Sequence, residues 1–156
     1  MGKEARIEVI AGTPKVTIVE IHDPSMVGTV GFDLGLMQIF QRHGISYILK
    51  ATNANSITHV IWEKSAAPSF IEELENTYEL VSVVPAAMVC VIGSNIAIPG
   101  VLARAANVLA ENKINVNCVS QSLRQINMQF VIDRADYRKA IATLNQALCL
   151  EPIKAA

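Results

Sequence analysis

The sequence predicts an α+β chain built from two βαββαβ units, each an antiparallel sheet with its helices on one face. Three observations carry that expectation. The chain repeats itself at a spacing of 69 positions. Short β-branched runs alternate with apolar stripes at helical spacing. Turn-forming residues punctuate them at regular intervals. With 156 residues there is room for one average domain or two small ones.

The repeat places Gly31 on Gly100, Phe40 on Leu109, Gly44-Ile45-Ser46 on Lys113-Ile114-Asn115 and Ile57 on Ile126. Its register runs without a gap from about residue 31 to residue 61. In the first copy residues 15–22 are β-branched and strand-like, and Asp23-Pro24-Ser25 breaks them. Phe32, Leu36, Ile39 and Phe40 recur at helical spacing until Gly44 stops the helix. Residues 45–52 and 57–62 read as strands joined by the turn Asn53-Ala54-Asn55-Ser56. Ser69-Phe70-Ile71-Glu72, after Pro68, has the spacing of a capping box for a helix that turns Phe70, Leu74 and Tyr78 inward. Residues 79–85 are the fourth strand.

The second copy opens with a strand over residues 87–93, and Pro99 suits a first helical turn. Val101, Ala105, Val108 and Leu109 form the helix stripe. Residues 114–120 and 126–132 alternate as strands, and Asp133 caps a helix with Tyr137, Ala140, Ile141, Leu144 and Leu148 inward. After Leu150 six residues remain, too few for a good strand, so this copy lacks its last one. Residues 5–11 form a strand that belongs to no repeat. The spare strand is therefore expected to complete the second sheet. That gives a first domain over residues 14–85, inserted within a second made of residues 5–11 plus 86–150. Met1-Gly2-Lys3 abutting this strand reads as a cut in a longer protein.

Strand alternation separates the faces. Ile114, Val116, Cys118, Ile126, Met128 and Phe130 are expected on the helix face of the second copy, with Asn115, Asn117, Asn127 and Gln129 opposite. The open face of the first copy should carry Ile48, Val60 and Trp62 beside Ser46, Lys50 and Thr58. Leaving those apolar groups in water costs about 25 cal/mol per Å², so a second subunit or a neighbouring sheet should cover them. His59, between Ile57 and Ile61, reads as a satisfied core histidine.

Much chemistry is excluded. The net charge is -1 with Lys and Arg scattered, which is no nucleic-acid footprint. No apolar run reaches the ~20 residues of a membrane helix, and no signal-peptide core is present. Cys90, Cys118 and Cys149 lie apart in apolar stretches and read as reduced core residues of a cytoplasmic protein. His22 and His43 have no ligating companions, so neither a metal nor another cofactor is expected. No P-loop, GxSxG, HExxH or paired CxxC occurs. Gly28, Gly31 and Gly35 lie where a loop opens a helix, which suits either an anion or plain close packing. An acylphosphatase of the same plan would need an arginine in that loop, and none lies between Lys15 and Arg42.

Pro99-Gly100-Val101 with its Ala-rich helix, residues 110–116 (AENKINV) and Ser120-Gln121-Ser122 resemble the second ACT domain of an aspartate kinase. Gly31-Phe32 and His43-Gly44-Ile45-Ser46 with the hairpin after them are similar to the first. Residues 52–59 and 122–130 resemble the aspartate kinases associated with ectoine synthesis. The resemblance implies a ferredoxin-like fold and allosteric control by lysine or threonine, bound where ACT domains of two subunits meet in a homodimer. It also implies a kinase domain in the parent chain and no catalysis here. By that resemblance the ligand site comprises Met26, Gly28, Gly31, Phe32, Asp33, Ile48, Thr52 and Asn53. The effector carboxylate would meet the N–H groups of Gly31, Phe32 and Asp33. Its amine ordinarily finds an acid on the second strand; here that position is Ile48, with Ala54 past the strand end and Asp33 as the substitute. Lysine should then bind weakly or not at all. A dimerisation module whose sensing is lost stands as the alternative.

Overall fold

The structure is a computed structural model that describes residues 5–124 and 126–149. Its elements run β1 (Arg6–His22), α1 (Phe32–Arg42), β2 (Tyr47–Thr52), β3 (Ser56–Trp62), α2 (Pro68–Thr77), β4 (Leu80–Ser94), α3 (Val101–Glu111), β5 (Val116–Gln121), β6 (Asn127–Asp133) and α4 (Tyr137–Leu148). It is an α+β fold. Two compact units divide the chain, Lys15–Pro85 on one side and the residues to Pro14 with those from Ala86 on the other. Leu150, Gln125 and Met1-Gly2-Lys3, which figured in the sequence reading, lie outside the described residues.

Four expected strands merge into two. Residues 5–11 and 15–22 are one strand, β1, and residues 79–85 and 87–93 are one strand, β4. Each long strand passes from one unit to the other at a proline, Pro14 or Pro85. Proline lacks the N–H a ladder needs, so a change of partner is where a strand tolerates it. Beyond the prolines, Val16 to His22 pair with β3 and Ala86 to Ile92 pair with β6, all antiparallel.

In the unit of Lys15–Pro85, α1 and α2 bury Leu36, Ile39, Phe40, Phe70 and Leu74 against Val19 and Ile21 of β1 and Ile57 and Ile61 of β3. Val81 of β4 packs against the same core. The other unit repeats this with Val101, Ala105, Leu109, Ala140 and Leu144 over Val89, Val91, Met128, Phe130 and Ile132. Ala5, Ile7 and Ile10 complete that second core. There β1 is the hydrogen-bonded neighbour of β4. A Cβ on Gly12 would meet the Met88 carbonyl oxygen at 2.2 Å, and one on Gly93 would meet that of Arg6 at 2.3 Å.

The repeat is closer in three dimensions than in sequence. α1 and α3, and β2 and β5, keep the 69-residue spacing, but β3 and β6 stand 71 apart. The second hairpin is two residues longer, so Ile57 corresponds to Met128, not to Ile126, which is 51% exposed. Residues Gly31 and Gly100 both take the left-handed conformation (φ 82° and 91°) as N-caps of α1 and α3. So do Gly44 and Lys113 (φ 63° and 58°) just past the helix ends. Each edge strand shifts register once, between Tyr47 and Leu49 and between Val116 and Cys118.

Those shifts overturn the expected faces of Lys50 and Cys118, while Val60 and Trp62 keep theirs. An extra residue in one strand reverses the alternation beyond it. Leu49 stands opposite Val60, and Lys50 stands opposite His59 on the helix side. Cys118 likewise stands opposite Val131, off the helix face that Met128 and Phe130 occupy. Val16, Ile18, Leu49 and Val60 are buried within the single chain, so a second subunit is not needed to cover Val60; Trp62 stays 42% exposed. The helix starts differ too. Ala67, extended before Pro68 as pre-proline residues are, is the N-cap of α2, which makes Ser69 an interior residue with no capping box. Pro99 precedes the N-cap of α3. Asp133 begins a 3-10 turn (Arg134–Asp136) ahead of α4, and its carboxylate accepts from the Asn117 amide instead.

Candidate functional site

The site grows from the segment between β1 and α1 in the unit of Lys15–Pro85. Asp23 ends β1, and its carboxylate accepts the Ser25 N–H at 2.8 Å. Bonds from Ser25 hold the Asp23 carboxyl below the usual carboxylate range. A 3-10 turn (Pro24–Met26) follows, and Met26 tucks against the core. Gly28 and Gly31 both have positive φ, with no atom within 4 Å of where a Cβ would stand. Gly31 then opens α1 without a side-chain cap. The N–H groups of the first turn have no carbonyl four residues back in the helix, and they sit at the positive end of the dipole.

The segment is tied to the β2–β3 hairpin by the Asp23 N–H, which donates to the Asn55 carbonyl at 2.8 Å, and the hairpin itself is closed by the Asn53 N–H donating to the Ser56 carbonyl at 2.8 Å. Gly28, Gly31, Thr52 and Asn53 are exposed, while Phe32 is half-buried, its ring 5.7 Å from that of Tyr78. Ile48 is the half-buried extra residue at the β2 register shift, not a member of the regular ladder. Val30 is fully exposed, with Val27 and Leu34 also open beside it.

A polar group missed from the sequence lies under this segment. Lys50 Nζ forms an ion pair with Asp33 Oδ2. His59, opposite Lys50 across the ladder, is wholly buried between Phe40 and Tyr47, ring centroids 4.7 and 5.2 Å away. Both its ring nitrogens and Asp33 Oδ1 are buried without a hydrogen-bond partner among the described residues. His59 is therefore a core histidine, but not a satisfied one. Burial first, then the Lys50 ammonium, push its pKa down to about 4 against the opposing pull of Asp33, so the ring is neutral at pH 7. Asp33 is already engaged, which weakens its candidacy as a substitute acceptor for an effector amine. Alternation had put Lys50 on the other face; nothing short of the register shift could have exposed the cluster.

An ACT-domain family profile matches residues 89–148. Aspartate kinase Ask_Ect of Stutzerimonas stutzeri is 35% identical over 150 residues, which is 94% of this chain and 31% of that protein. The chain spans 25% to 31% of the length of the curated relatives it matches. The regulatory subunit of aspartate kinase from Thermus thermophilus superposes with a TM-score of 0.81 at 16% identity, over 91% of this chain and 97% of that one. E. coli aspartokinase III in complex with lysine and aspartate gives 0.78 at 21% identity, over 97% of this chain and 35% of that one. At those identities the two structures speak to the fold.

Proposed function

Because this chain belongs to the ACT-domain regulatory modules of aspartate kinases, we propose that it senses an amino acid through the residues between β1 and α1. The parent protein then carries a kinase domain that this module controls, and the module assembles as a homodimer. The single observation that supports this most is the 35% identity to a curated aspartate kinase across 94% of the chain. The loop geometry agrees: Gly28 and Gly31 have positive φ with open space where a Cβ would stand, and Gly31 starts α1 without a side-chain cap, the kind of helix start at which a carboxylate is stabilised. A related aspartokinase has been crystallised with lysine and aspartate, which makes free amino acids the natural effector class.

A thermal-shift screen of the twenty amino acids tests the reading. An effector at ~100 times its Kd adds roughly 2.7 kcal/mol of stability. No shift with any amino acid would favour the second reading, a dimerisation module without sensing. That reading draws on Ile48, which offers an amine no acceptor, and on Asp33, which Lys50 already holds. Gly31→Val should abolish the shift if the loop is the site.

A further inference from the structure

The two units differ most where the polar cluster lies. The strand pairs Val19 with His59 and Val89 with Phe130 make Phe130 the structural counterpart of His59. By the 69-residue spacing that α1 and α3, and β2 and β5, share, Leu102 stands for Asp33 and Val119 for Lys50. A unit with Leu, Val and Phe in these places folds, so packing does not require Asp, Lys and His. The pair of Lys50 with Asp33 is placed like a clasp, joining β2 to the first turn of α1, which Gly31 opens. The Lys50 side chain, 21% exposed, holds the carboxylate from within, while the Asp33 side chain is 49% exposed and open to solvent on its other side. Behind the clasp, His59 stands directly opposite Lys50 on the same face of the ladder, where paired Cβ atoms lie about 5 Å apart. Its ring is neutral at pH 7, so one nitrogen offers a lone pair to a donor. Neither nitrogen has a partner among the described residues, which is costly for a buried group.

We propose that Lys50 is a built-in competitor of the effector, its ammonium holding the Asp33 carboxylate until the ammonium of a bound amino acid displaces it. This rests on the reading of the β1–α1 segment as the effector site. Every free amino acid carries an ammonium, the same chemistry as the Lys50 head group. The two therefore exchange at one carboxylate, approaching it from opposite sides. The displaced Lys50 has a second place to go: its ammonium donates and the neutral His59 ring accepts, so that nitrogen is satisfied only when the clasp is open. The exchange breaks a contact between β2 and α1 and makes one between β2 and β3. Occupancy of the site thus changes what holds the start of α1. The closed clasp also sets the working concentration, because apparent affinity falls in proportion to the fraction of molecules in which it is open.

Calorimetry with L-lysine and L-threonine tests it on the 156-residue chain, on Lys50→Met, and on Lys50→Met combined with Asp33→Asn. Lys50→Met should tighten both amino acids by about tenfold, because nothing then competes for Asp33. Adding Asp33→Asn should abolish that gain. A general loss of folding cannot tighten binding, so it cannot imitate the first result. A second readout needs no substitution. On saturation of the wild type with the tighter of the two amino acids, the nitrogen-15 resonance of the His59 acceptor nitrogen should shift as its lone pair takes a hydrogen bond. Equal or weaker binding by a folded Lys50→Met protein overturns the proposal and leaves the sensing site standing. So does a gain that survives Asp33→Asn, or a His59 nitrogen that stays put. No binding of these or any other of the twenty amino acids, by any of the three proteins, overturns both.

Discussion

His59 shows how one side chain links packing to pH. Its folded pKa of about 4 lies below the ordinary 6.5. Between those values the unfolded chain takes up the imidazole proton and the folded chain does not, so stability falls as pH falls through that window. The effect is on the order of 3 kcal/mol. Replacing His59 with Phe, the residue its counterpart already is, should remove that contribution and stabilise the chain at pH 7 by about 1 kcal/mol. Denaturant titrations of both proteins at pH 7 and pH 4.5 check it; an unchanged difference between the two pH values would refute the assignment. The burial of His59 was legible from its place between Ile57 and Ile61. Its lack of partners was not, because that depends on which way Lys50 points.

At the scale of elements, β1 and β4 approach so closely that glycine is required. Gly12→Ala would drive a Cβ to 2.2 Å from the Met88 carbonyl oxygen, and should cost about 1–3 kcal/mol by overpacking. Gly28→Ala meets no atom within 4 Å and should cost only the left-handed backbone strain of about 1–2 kcal/mol. Melting curves of the two variants separate these causes when combined with urea unfolding of each. Ser69→Ala should stay within about 0.5 kcal/mol of wild type, since Ser69 caps nothing. The stripes that became α1 to α4 were readable because apolar residues recur at the helical period. The register shifts at Ile48 and Asn117 were not, because an extra residue in an edge strand leaves the composition of that strand unaltered. They fall 69 residues apart, at the same point of each copy, so they belong to the design of the fold.

For the whole molecule, two units share two strands. Ile7 sits in the core built by residues from Ala86 onward. Ile7→Ala should cost about 2–4 kcal/mol and should speed amide exchange in β6 more than in β3; equal acceleration in both would argue against the division into units. The strand-like run of residues 5–11, which belongs to neither copy of the repeat, is the feature of the sequence that pointed to a place for Ile7 in this core. The fusion into continuous strands was hidden by Pro14 and Pro85, which in a sequence read as breaks and in the fold mark a change of partner. The crossing also has a consequence for synthesis on the ribosome. The unit of Lys15–Pro85 has all its strands once residue 85 has emerged. Residues 5–13 must wait for their sheet neighbour, the part of β4 beyond Pro85, about eighty residues later, or on the order of ten seconds at ordinary elongation rates. During that interval Ile7 and Ile10 have no core to enter, and a chaperone that shields a short apolar segment would find its client there.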